Sequence, residues 1–152
     1  MCHIGVAVNK WRKANSLLRR FREVGPGGLA SLLEAFGWLA LAKLALAWVP
    51  VAKVIGWKQR ELERGGAADP GVLREVRHAV LVVARYAPFG FVCFPQCLAA
   101  AEMLRRRGIA SRLHYGVARD GNKLVTHTWL EAGGEVVIGG EVAGEYSRLE
   151  SW

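Results

Sequence analysis

From Ala110 onward the chain changes its rhythm, and that change constrains the fold more than any other feature. Ala110 to Val117 and Leu124 to Glu131 read as strands, Arg119-Asp120-Gly121-Asn122 reads as the hairpin turn between them, and Gly133-Gly134 makes a second tight turn into Glu135 to Ile138. Connections this short join antiparallel neighbours, because a parallel pair needs a crossover of a dozen or more residues. Just before them, Pro95 suits the first turn of a helix, Gln96 to Arg107 carries good helix formers, and Gly108 stops it. The order is a helix and then an antiparallel meander, so the fold class is α+β.

The rest of the chain is divided by its glycines and prolines. Gly25-Pro26-Gly27-Gly28 separates a basic amphipathic opening segment, residues 7–23, from an apolar helix expected from Leu29 to Val49, with a shorter helix begun by Pro50. Gly65-Gly66-Ala67-Ala68-Asp69-Pro70 is a second break, where Asp69 can cap and Pro70 can start a helix running to Tyr86. Val72, Leu73, Val76, Ala79, Val80 and Val83 keep helical spacing, so one face of that helix packs inward and His78 is left exposed or structural. These breaks divide the chain into a basic, apolar helical region over 1–64 and a second region over 65–152.

A length of 152 residues supports one sizeable core, and a composition 52% hydrophobic and 22% charged leaves no long segment that must be disordered. The net charge of +8 is concentrated in front: residues 1–64 hold eleven Lys and Arg against four Glu. There is no zinc-finger spacing, basic amphipathic repeat or stacking motif, which argues against nucleic acid and for a solvated or peptide-binding face. Charge reversal at Arg19, Arg20 and Arg22 would test that face. The run from Ala35 to Trp57 has the length of a membrane span, but Lys43, Lys53 and Pro50 lie within it and disfavour one. The helix is expected to be largely buried, with Trp38, Trp48 and Trp57 as core aromatics whose flanks can still touch a membrane surface.

Cys2, Cys93 and Cys97 cannot all pair within the chain and have no zinc-knuckle spacing, so a reducing cytoplasm fits them. The first 25 residues lack the apolar core and cleavage site of a secretion signal. Neither metal nor cofactor is implied. Cys93 stands at the mouth of the helix, where unpaired amides and the positive end of the helix dipole stabilise negative charge on sulfur. His127, 34 residues later on the middle strand, can take and return a proton during acyl transfer. Taken singly, a buried cysteine and a core histidine are common structural residues. Their joint order points to a thiol nucleophile and its base.

The stretch Cys93-Phe94-Pro95-Gln96-Cys97-Leu98-Ala99, the Leu104-Arg105-Arg106-Arg107-Gly108 helix end, Gly116-Val117, and the His127-x-Trp129-x-Glu131 segment together resemble the transglutaminase-like cysteine peptidases that process lasso-peptide precursors, the B proteins of those pathways. The resemblance covers residues 70–150 and, with weaker motifs, the helical lead-in. It implies a helical N-terminal part followed by a papain/transglutaminase-like core, with the catalytic helix packed on the meander. It also implies a hydrolase that cuts the leader from a ribosomally made precursor, after which a macrocyclase closes the ring. The chain looks like the stand-alone peptidase half, with leader binding left to a separate recognition protein. By this match Cys93 is the nucleophile, His127 the general base, and Cys97 a packing residue where relatives carry serine. The aspartate expected a dozen residues after the histidine is replaced by Gly139. Glu141 is the favoured third member, ahead of Glu131, which shares the strand face of His127 but lies too far along it. His114 is read as surface or structural, and Trp129 as packing behind His127 or lining the groove. The competing reading is a non-catalytic adaptor or membrane-associated binding protein on the same fold.

Overall fold

The computed structural model describes residues 26–50, 53–54, 62–87, 92–120, 123–140 and 147–148, and among these described residues three helices and four strands follow one another. They are α1 (Pro26–Trp48), α2 (Pro70–Tyr86), α3 (Cys93–Arg106), β1 (Arg112–Asp120), β2 (Lys123–Ala132), β3 (Glu135–Ile138) and the short β4 (Ser147–Arg148). The opening segment 7–23 with its arginine cluster, Cys2, Trp11, Trp57, most of the helix expected after Pro50, and the hairpin tip at 121–122 lie outside the described residues.

The strands form one antiparallel sheet in the order β3-β2-β1-β4, the α+β architecture expected. β1 and β2 pair from Arg112 with Glu131 to Asp120 with Lys123. Gly133 and Gly134 both take positive φ, 60° and 81°, which is what a two-residue turn between right-twisted strands demands. A register shift between Leu130 and Glu131 interrupts the pairing of β2 with β3. That irregularity lies near the candidate site.

α2 begins where its local chemistry dictates. The Asp69 carboxylate accepts from the amides of Gly71 (2.6 Å) and Val72 (3.3 Å), and Pro70 occupies the first turn without wasting a donor. We expect Asp69→Ala to lower stability by about 1 kcal/mol, read as a lower denaturant midpoint with an unchanged slope.

α3 is the centre of the molecule and packs against α1, α2 and the sheet. Its consecutive Ala99, Ala100 and Ala101 are all buried, and only side chains this small let one helix be approached from so many directions. Leu32, Ala35 and Leu39 of α1 join Leu73, Val76 and Val80 of α2, Met103 and Leu104 of α3, and Leu113 and Leu130 of the sheet in one core. Polar contacts reinforce the helix junction. Arg107, just past α3, meets Glu34 of α1 at 2.9 Å and donates to Ser31 Oγ at 3.4 Å, while Ser31 donates to Glu75 of α2.

α1 starts three residues earlier than the glycine turn suggested, with Pro26 as its first residue and Gly27 and Gly28 already helical. It also departs from the expectation that it is largely buried. The stretch Gly27–Trp48 is long and apolar enough to cross a membrane, and of its apolar 18-residue window 28% is buried. Leu32, Ala35, Leu39 and Ala42 face the core, whereas Leu33 is 67%, Leu44 62% and Trp48 87% exposed. A helix apolar all round needs cover on both sides, and α2 and α3 cover one. Trp38 is half-buried against the core, so of these two tryptophans only Trp38 is a core aromatic.

Candidate functional site

Cys93 is the first residue of α3 rather than the residue before it, with Val92 as N-cap. Val92 supplies no side-chain cap bond, in contrast to Asp69 on α2. The N-cap residue therefore brings no side chain onto the first-turn amides of α3, which lie beside a half-buried thiol. Phe94 and Cys97 on the same turn are buried, and Phe94 meets the Tyr115 ring of β1 at 5.8 Å, which fixes the start of the helix against the sheet.

His127 lies on β2 opposite Gly116 of β1, and is half-buried. It and Cys93 line one cleft of about 180 Å³, together with Gln96, Arg77 and Leu81 of α2, and the segment Val137–Gly140. The two residues singled out by chain order thus meet at one opening. Arg77, Leu81 and Gln96 were not anticipated. Arg77 and Leu81 are one turn apart on α2, beside its buried stripe, so their spacing was the available signal.

The imidazole is oriented by the backbone. His127 Nε2 lies 3.0 Å from the carbonyl oxygen of Gly139. A carbonyl only accepts, so Nε2 carries the proton and Nδ1 is the acceptor of the neutral ring. Gly139 adopts φ +79°, and a Cβ there would fall 2.7 Å from Thr128 O, 3.1 Å from Trp129 Cβ and 3.2 Å from His127 Nε2. The position therefore excludes any side chain, aspartate included. Its carbonyl stands against the ring where an orienting acid would be sought.

Glu141 lies outside the described residues. The Glu131 carboxylate meets His114 Nε2 at 2.5 Å, and the His114 ring stacks on Trp129 with centroids 5.5 Å apart and planes at 13°. Trp129 is fully buried, next along the strand face from His127. Among the described residues no group of His, Cys, Asp or Glu is arranged to hold a metal ion.

Cys97 is fully buried, and its thiol donates to Thr128 O at 3.4 Å, tying α3 to the histidine strand. Burial pushes this thiol well above its ordinary value, and the neighbouring Cys93 adds to the effect. Burial likewise raises the Tyr115 phenol. Both groups stay protonated in the folded chain at pH values where the unfolded chain releases their protons. Stability is therefore full below the unfolded values and falls as pH rises past them, from about pH 9 for Cys97 and 10 for Tyr115, by up to about 1.4 kcal/mol per pH unit for each. Denaturation series between pH 7 and 11 should show this decline, with a shallower slope in Cys97→Ala.

A family model described as the transglutaminase-like superfamily matches residues 36–151, more than half of the chain. No curated protein and no solved structure matches it.

Proposed function

The chain belongs to the transglutaminase-like superfamily, and on that premise we propose that it is a cysteine peptidase that removes the leader from a lasso-peptide precursor through a thioester acyl-enzyme. The observation that carries this reading is the shared cleft of Cys93 and His127 at the start of α3. The resemblance of the Cys93 and His127 segments to lasso-peptide B proteins supplies the substrate class.

In this mechanism His127 Nδ1 takes the Cys93 thiol proton and the sulfur attacks the scissile carbonyl carbon. The carbonyl oxygen gains the negative charge, and the first-turn amides of α3 are placed to hold it. When the C–N bond breaks, the imidazolium returns the proton to the departing amine of the core peptide. Water then enters, gives a proton to the same nitrogen, and its oxygen displaces Cys93 from the leader acyl group, the imidazolium returning its proton to the departing sulfur. The Gly139 carbonyl holds the tautomer throughout and steadies the cationic ring. Glu141, two residues on, is proposed as an additional acidic partner of the ring. The enzyme's partners are the precursor's leader, a separate leader-recognition protein and the macrocyclase that receives the freed amine, all in the cytoplasm.

The test is to incubate the purified chain, with and without a leader-binding protein, with a precursor encoded beside it, and to follow leader release by mass spectrometry. Release that disappears in Cys93→Ala is expected. Persistent release in that variant would refute the assignment. Alkylation supplies a second reading: Cys93 should be modified quickly and Cys97 slowly, whereas an adaptor on the same fold would show equally sluggish thiols.

A further inference from the structure

We propose that the outward arc of α1 is a docking surface for an anionic lipid bilayer, on which the molecule lies with its cleft uncovered. Leu29, Leu33, Phe36, Leu41, Leu44 and Trp48 are all exposed, and at 100° per residue they fall on one continuous arc opposite Leu32, Ala35 and Leu39. The stripe runs the length of a 23-residue helix and ends in the most exposed of these side chains, Trp48. Large apolar patches of this kind mark interaction surfaces rather than ordinary solvent faces.

Charge selects the occupant. Exposed Lys43 borders the stripe, and exposed Lys53 follows the helix end. Glu34, the acid of α1, lies toward the other edge and is held by Arg107 and Arg106. A second copy of the chain would bring Lys43 and Lys53 against their own counterparts, whereas an anionic surface complements them. Leucine and tryptophan on the inserted face with lysine at its edge is the composition of helices that lie in a membrane interface. The buried arc is committed to α2 and α3, so α1 lies along the bilayer rather than through it. None of the cleft-lining residues belongs to α1, so docking leaves Cys93 accessible.

The experiment is co-sedimentation of the full chain with vesicles of phosphatidylcholine alone and of phosphatidylcholine with phosphatidylglycerol, at low and physiological salt. Binding to the anionic vesicles that weakens with salt is expected. The triple variant Leu33→Gln, Leu41→Gln, Leu44→Gln should lose at least about tenfold in partition, and Lys43→Gln about fivefold. Unchanged circular dichroism and Cys93 alkylation verify that both variants are folded. Absence of vesicle binding, equal binding to neutral and anionic vesicles, or unaltered binding by the folded triple variant each overturns the proposal. So does a concentration-dependent dimer that the triple variant abolishes, because the surface would then belong to a second copy. Leader release plays no part in these readouts, so the two proposals stand or fall separately.

Discussion

His127→Ala should lower the rate of Cys93 acylation by about a thousandfold or more while leaving the melting transition close to that of the parent chain. The expectation follows from the tautomer. With Nε2 donating to Gly139 O, Nδ1 alone can receive the thiol proton, and general-base catalysis of this kind contributes about 10² to 10⁴. The ring is half-buried, so its removal leaves solvent-accessible space rather than a sealed cavity. His127→Gln restores much of the volume without a base and should be as slow. Stopped-flow acylation with an activated ester of the leader sequence, read beside thermal denaturation, measures both quantities. A variant retaining more than a tenth of the parent rate would remove His127 from the mechanism.

Gly139→Ala should produce the second largest effect, about a hundredfold loss of acylation with a measurable loss of stability. A methyl group there would approach a strand carbonyl to 2.7 Å, and φ +79° is strained for alanine. The segment must move, and with it the acceptor that holds the imidazole. The diagnostic is the rate profile of Cys93 alkylation in the folded variant: losing the orienting carbonyl should lower it throughout. A purely structural glycine would cost stability and leave that profile in place.

These predictions also mark what could be read from residues. α2 was legible from end to end because Asp69 and Pro70 fix its start locally. β3 was legible because paired glycines precede it, and β1 and β2 were placed within a few residues because hairpin turn chemistry is encoded at the turn. The orientation of His127 was not legible. A search for a third side chain meets Gly139 at the expected position and turns to Glu141, since a backbone carbonyl has no letter in the sequence. Nor could the letters show how much of α1 is covered. An unbroken apolar helix looks the same whether neighbours enclose it or flank it on one side, and only the packing of α2 and α3 decides. Arg77 and Leu81 belonged to a helix read for its buried stripe, so their place on the cleft required the third dimension.

The junction of Arg107 with Glu34 and Ser31 has a consequence for how this molecule comes into being. During synthesis α1 emerges long before the helix whose end will hold it, and its inner arc waits for Met103, Leu104 and Arg107. Cys93, at the other end of α3, then depends for its setting on a segment made first and docked only when α3 is complete. A chain cut between Trp48 and Leu62 should consequently yield two pieces that find each other again, with Cys93 reactivity returning when the piece carrying α1 is added back.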